Sequence, residues 1–187
     1  NTTASSNTAV GYQAGYSTTV GYNNTLFGDR AGYSNVGNRG NTFLGQESGY
    51  SYNRAGSGDT FNTFVGYRAG YAQSTEGLYN TYVGLFSGNT ITTGSKNTIL
   101  GGYNGNQGGL DIRTQNNNVV ISDGDGNIKY SYKNADNTTQ MPDLYTNTSG
   151  NSANLVVLSS GTIARSTSSL KYKRDVQDAT HGLTELL

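Results

Sequence analysis

The 187-residue chain contains no cysteine and no tryptophan, and only one proline, one methionine and one histidine. Without cysteine there is no disulfide, no cysteine–zinc site and no thiol chemistry, and the lone His181 cannot build a histidine-based metal site. Charged residues make up 13% of the chain against about 25% in ordinary domains, and 12 basic side chains balance 12 acidic ones. No basic face is therefore available to hold nucleic acid. No run of about 18 apolar residues is present to span a membrane. Hydrophobic residues, at 33%, are too few for the core of a conventional helical or α/β enzyme, and no cofactor is expected. The chain starts at Asn1 without a leader-like segment, which leads us to expect a stretch of a longer protein.

What is present is Gly, Asn, Thr and Ser, together half of all residues, with 15 tyrosines. Such a composition could be disordered, but disordered chains are poor in aromatic and β-branched residues. Here those residues recur in order. The phrase Asn-Thr-x-(apolar)-Gly occurs at Asn7–Gly11, Asn24–Gly28, Asn41–Gly45, Asn62–Gly66, Asn80–Gly84 and Asn97–Gly101. The closing glycines are 17, 17, 21, 18 and 17 residues apart. Five copies continue into a small-residue turn ending in Gly15-Tyr16, Gly32-Tyr33, Gly49-Tyr50, Gly70-Tyr71 and Gly88-Asn89. Fixed-period self-similarity marks a repeat architecture.

A segment such as Thr63-Phe64-Val65 is too short for a helix and rich in strand formers, and the glycine after it allows a turn. Each repeat thus reads as one coil of a β-roll or β-solenoid. Alternation along the strand places Thr63 and Val65 on one side and Phe64 on the other. Both sides are apolar in most copies, which predicts burial in the roll interior and in a subunit interface. Coils stacked on coils, and chains on chains, supply burial that one coil lacks. The long stretch between Tyr50 and Asn62 reads as a surface loop able to carry specificity.

This motif resembles the YadA-like head repeat of trimeric adhesins and viral fibres over residues 7–109, with coils longer than that family's usual repeat. The resemblance implies three chains wound as parallel β-rolls about a three-fold axis.

From Asn116 the pattern changes. Asn118–Ser122, the turn Asp123-Gly124-Asp125-Gly126-Asn127, and Ile128–Tyr132 read as strand, turn and strand. A related phrase spans Asn154–Ile163, so two hairpin-like units are expected, joined by a polar stretch over 133–153 lying along the surface. Charge then clusters after Arg165, and residues 175–187 have a helical pattern with Val176, Leu183, Leu186 and Leu187 as its apolar set. The sequence from 164 to 187 resembles the start of the self-cleaving intramolecular chaperone of phage tail fibres, tailspikes and endosialidases. That resemblance implies Ser168 as nucleophile and Lys173 as base of an autoproteolytic Ser-x-x-x-x-Lys pair. A plain polar linker is the alternative reading of the same residues.

Other constellations have two readings each. Asp123, Asp125 and Asn127 open like a calcium loop, yet lack its downstream Glu, and Asp-Gly is also a common turn signal. Gly101-Gly102 and Gly108-Gly109 lack the Gly-Lys-Ser/Thr of a phosphate loop. Asp29, Glu47, Asp59 and Glu76 could pair as glycosidase carboxylates or lie on solvated turns. Tyr12, Tyr16, Tyr22, Tyr33, Tyr50, Tyr67, Tyr71 and Tyr103 follow glycines at turns near the surface. They stack from coil to coil as a ladder, or bind sugar or protein; Tyr12, Tyr16, Tyr33, Tyr50, Tyr67 and Tyr71 are the binding candidates.

The sequence therefore predicts an all-β chain: a trimeric parallel β-roll of about 17-residue coils (1–115), a β-hairpin shaft (116–164) and a short C-terminal helical stub opening a truncated chaperone (165–187). The expected role is a structural, adhesive homotrimeric fibre without enzymatic turnover, best matched to a distal phage tail fibre. It would be extracellular, in the virion tail, with itself and a host cell-surface glycan or protein as partners. A bacterial trimeric surface adhesin and a polysaccharide-cleaving tailspike are the alternatives.

Overall fold

The computed structural model describes residues 4–53, 58–74, 76–142, 155–157 and 163–165. The chain divides into two compact units, Asn1–Pro142 and Asp143–Leu187.

The first unit is an all-β solenoid built on the repeat. Each Asn-Thr-x-(apolar)-Gly phrase forms a three-residue strand: β1 (Thr8–Val10), β2 (Thr25–Phe27), β4 (Thr42–Leu44), β6 (Thr63–Val65), β7 (Thr81–Val83) and β8 (Thr98–Leu100). The strands pair in parallel with every residue opposite its repeat equivalent, as Thr42↔Thr63, Phe43↔Phe64 and Leu44↔Val65. The division expected after residue 115 does not interrupt this sheet. β11 (Val119–Ser122) pairs in parallel with β8, Val120 opposite Ile99, and forms a seventh rung. It went unread as a repeat because Val119 and Ser122 stand where the phrase has Thr and Gly.

The two 21-residue steps house extra structure. In one, β5 (Gly58–Asp59) pairs in parallel with β3 (Asn38–Arg39). The stretch read as a surface loop is thus partly built into the roll. Its Tyr52 is buried, edge-on to Phe43 and Phe64, and its hydroxyl donates to the Gly77 carbonyl at 2.7 Å. In the other, β9 (Asn106–Gln107) and β10 (Leu110–Asp111) form an antiparallel hairpin. Its turn is Gly108-Gly109, with φ of +60° and +81°, the two positive values that a tight hairpin turn needs.

After β11 the sheet turns antiparallel through β12 (Ile128–Lys133) and β13 (Thr138–Gln140), so the hairpin expected around Asp123–Asn127 is formed. Part of the polar stretch from 133 is therefore a strand, not a free surface segment. In the second unit, β14 (Leu155–Val157) pairs antiparallel with β15 (Ile163–Arg165). The helical pattern of 175–187 lies outside the described residues.

From β2 onward the middle residue of each parallel rung faces inward. Leu26, Phe43, Phe64, Tyr82, Ile99 and Val120 are buried. Phe43, Phe64 and Tyr82 stack with centroids 4.9 Å apart and rings within 6° of parallel, at the natural strand spacing. Beside them runs a column of buried amides. Asn24 Oδ1 accepts the Asn41 N–H at 3.0 Å, Asn41 that of Asn62 at 3.0 Å, Asn62 that of Asn80 at 2.8 Å, Asn80 that of Asn97 at 2.9 Å and Asn97 that of Asn118 at 2.8 Å. Several of the same side chains donate across the coil, as Asn24 to the Asn38 carbonyl at 2.9 Å and Asn97 to that of Gln115 at 2.8 Å. At the corner before each strand the N–H has no backbone partner in the sheet, and the asparagine below supplies one.

Candidate functional site

The inward turn of the middle residues leaves the first and third facing out. In-register stacking gathers the third residues, Val10, Phe27, Leu44, Val65, Val83, Leu100 and Ile121, into one column down the sheet. Six of these are 36–53% exposed, and Val65 is half-buried. Beside them stand Thr8, Thr25, Thr42, Thr63, Thr81 and Thr98, and neither column holds a charge. Seven rungs spaced about 4.8 Å apart make a face about 29 Å long. Exposed apolar strips occur at protein–protein contacts, in ligand grooves and on aggregation-prone faces.

A second surface is the tyrosine stripe. Tyr16, Tyr33, Tyr50 and Tyr71 stack in sequence with centroids 5.1 Å apart and planes within 10°. Each inner ring has both faces covered by its neighbours and presents only its rim and hydroxyl. The outer members end the stack, and Tyr16 is 64% exposed. Tyr67 meets Phe86 edge-on at 5.2 Å, and the Arg68 guanidinium lies 5.2 Å from the Tyr67 ring and 5.1 Å from that of Tyr71. Tyr12 is 65% exposed. The stripe is a ladder whose rim faces solvent. Tyr22 lies under the Arg39 guanidinium at 4.5 Å. Tyr103 departs from the expectation of a surface position: it is fully buried and donates to the Leu110 carbonyl at 2.7 Å. It stands next in the column of Ser48, Ala69 and Ser87, all buried, its carbonyl accepting the Gly88 N–H at 2.9 Å, so the ring takes an interior place, and burial pushes its hydroxyl pKa up.

Three of the four scattered acids are tied to arginines. Buried Glu47 receives Arg68 Nε at 2.6 Å and lies 3.5 Å from Arg30, which also faces Asp29 at 3.8 Å. Arg39 lies 3.8 Å from Asp59. The hydrogen bond to Glu47 raises the Arg68 pKa. Glu47 thus bridges the coils before and after its own through these two arginines.

Asp123 serves the turn. Its Oδ1 accepts the Asp125 N–H at 3.1 Å and the Asn127 N–H at 2.9 Å, its Oδ2 accepts from Asn127 Nδ2 at 3.0 Å, and Lys129 lies 3.7 Å away. These donors, Asn127 above all, lower its pKa. The carboxylate thus faces N–H groups and an ammonium, the surroundings of a turn cap. Among the described residues no group of three or more His, Cys, Asp or Glu could hold a metal ion.

A cleft of about 430 Å³ lies between the fifth coil, the sixth coil and the β11–β12 turn, with Leu85, Phe86, Asn89, Asn104, Gln107 and Asp125 among its lining. Sequence reasoning singled out only Asp125 of these, and as a calcium candidate. The cleft joins three separate segments, and only the stacking order brings them together. Ser168 and Lys173 lie outside the described residues. No helix among the described residues is long and apolar enough to cross a membrane.

Comparison with family models, curated proteins and solved structures returns no match.

Proposed function

We propose that the chain is a structural, adhesive segment of an extracellular fibre that assembles as a homotrimer through its uncharged sheet face. The observation that carries this reading is the column from Val10 to Ile121, an apolar strip on the outside of an already filled roll. A parallel roll presents the same strip at every level, so identical chains can meet along its whole length about a common axis. Closed cyclic symmetry then satisfies every copy. Three chains is the number that the resemblance to YadA-like head repeats carries. The resemblance of residues 164–187 to a fibre chaperone favours a distal phage tail fibre, with assembly aided by that segment and host-surface contact made by the roll's exposed rims and loops.

Sedimentation velocity tests this. The wild-type chain is expected to run as a species of three times 19.8 kDa. The Leu44→Asp/Val83→Asp double variant, with charges in the middle of the strip, is expected to run as monomer or to unfold, with a melting temperature that no longer rises with chain concentration. A stable wild-type monomer refutes the assembly.

A further inference from the structure

Two of the outer columns that run up the roll lose their large side chains at its fifth and sixth coils. The position held by Tyr16, Tyr33, Tyr50 and Tyr71 is held next by Asn89 and then Asn104, as the coil-to-coil bonds Ala72 N–H to Asn89 O and Thr90 N–H to Asn104 O show. The position after the strand glycine, held by Tyr67 and then Leu85, falls to Gly102. Gly102 is pressed by the β11–β12 turn so closely that a Cβ there would lie 2.2 Å from the Gly124 carbonyl oxygen. Smaller residues replace large ones in one column from the fifth coil and in its neighbour from the sixth, and a cleft of about 430 Å³ lies where they do.

We infer that this cleft binds a neutral pyranose unit of a glycan. One wall is apolar: Leu85, 52% exposed, and half-buried Phe86, whose ring is braced by Tyr67 at 5.2 Å. A wall of this kind suits the C–H face of a sugar ring. Polar groups with spare capacity face it across the cleft. The Asn89 side chain and the Asp125 carboxylate have no hydrogen-bond or ion-pair partner among the described residues. The Asn104 amide uses its oxygen for the Asn106 N–H at 2.8 Å and keeps its NH₂. Gln107 is held by its own bond to the Asp125 carbonyl at 2.8 Å, which fixes the turn against the sixth coil. Amide and carboxylate groups that donate and accept side by side match the adjacent hydroxyls of a pyranose.

The volume lies in the range of small-ligand sites and above the size of one hexose. The single charge in the cleft is negative, so phosphorylated and acidic sugars are disfavoured, and the lone carboxylate makes a poor cation cage.

This inference names a ligand class for the adhesive reading and rests on it only for its biological setting. Saturation-transfer-difference NMR on the full chain, with glucose, galactose, N-acetylglucosamine, lactose and N-acetylneuraminic acid as probes, tests it. A neutral sugar is expected to bind with a millimolar dissociation constant, weakened about tenfold or more by Asn89→Ala and by Asp125→Ala at unchanged melting temperature. Failure of every neutral sugar to bind, preference for N-acetylneuraminic acid, or binding indifferent to both substitutions overturns it. Sedimentation of the same samples separates the two readings: a trimer without sugar binding removes the cleft alone, and a sugar-binding monomer removes the trimer alone.

Discussion

Truncating one rung of the amide column tests whether the interior is held by these bonds. Asn80 and Asn97 are both fully buried, and the Asn97 N–H has Asn80 Oδ1, at 2.9 Å, as its partner. Asn80→Ala leaves that N–H without an acceptor and without water. An orphaned buried donor costs about 1–3 kcal/mol. The other bond lost, Asn80 Nδ2 to the Gly94 carbonyl at 2.9 Å, is partly covered, since Gln73 Nε2 also reaches that oxygen at 3.3 Å. With a small void added, the expected loss is about 2–4 kcal/mol, a large fraction of a net stability of about 5–15 kcal/mol. Urea unfolding followed by far-UV circular dichroism, at one chain concentration, reads this directly.

Asn80→Asp sharpens the test. The acceptor for Asn97 is kept, but the donor to Gly94 becomes a second oxygen facing a carbonyl in a dry interior. Burial and that oxygen raise the introduced carboxyl's folded pKa above its unfolded value near 3.9. A raised folded pKa means stability that is present below about pH 4 and lost as pH rises through the folded value. The variant should therefore be weaker at pH 7 than at pH 4, relative to wild type at each pH. An alanine variant within about 0.5 kcal/mol of wild type, or an aspartate variant indifferent to pH, would refute the account of the column.

Two further perturbations follow from the packing. Gly66 has φ of +132°, and a Cβ there would lie 2.3 Å from the Gly84 carbonyl oxygen of the next coil, so Gly66→Ala should cost more than about 3 kcal/mol. Gly124→Ala is the matched control with nothing within 4 Å, expected to shift stability by less than about 0.5 kcal/mol, and equal effects would sink the argument. Burial also raises the hydroxyl pKa of Tyr82 and Tyr103 above the unfolded value near 10. Their contribution is complete below about pH 10 and is lost as pH rises through the folded values, so the urea midpoint should fall on that side. Tyrosinate absorbance should reach its full amplitude only on unfolding; complete ionisation of a folded roll would contradict this burial.

Much of the roll was legible because its signal is repeated. The strand glycines fix the coil length, and two-residue alternation separates Phe64 from Thr63 and Val65. Which of the two apolar sides is interior was not legible, since Val65 and Phe64 are equally acceptable in a core. Register decides it, by stacking Phe43, Phe64 and Tyr82 inward. The asparagines open each phrase, but that place in the sequence does not by itself show that their side chains are buried. Their signal was chemical: an amide both donates and accepts, and only such a group can close a corner N–H and a carbonyl across the coil. The same asparagine would have exposed the seventh rung, because Asn118 persists where Thr and Gly do not. Tyr103 misled because Gly102-Tyr103 looks like Gly32-Tyr33 or Gly70-Tyr71, while stacking sets it in the column of Ser87 and leaves the tyrosine column to Asn104. The cleft depends on residues from three segments, and no local pattern encodes that.

The low apolar content has a different meaning once the interior is known. Rings and amides fill the roll, and coil-to-coil backbone bonds such as Gly32 N–H to Ser48 O and Gly49 N–H to Ala69 O repeat at each level. The apolar third residues are left outside. Fully burying such a side chain is worth about 1.5–3 kcal/mol, so covering seven that are about half exposed is worth about 7 kcal/mol per chain before the cost of association. That is comparable to the whole net stability of a domain. In the homotrimer proposed above, a face of this worth would couple folding to assembly: the sheet that the asparagines hold in register is also the sheet that brings the apolar strip into line.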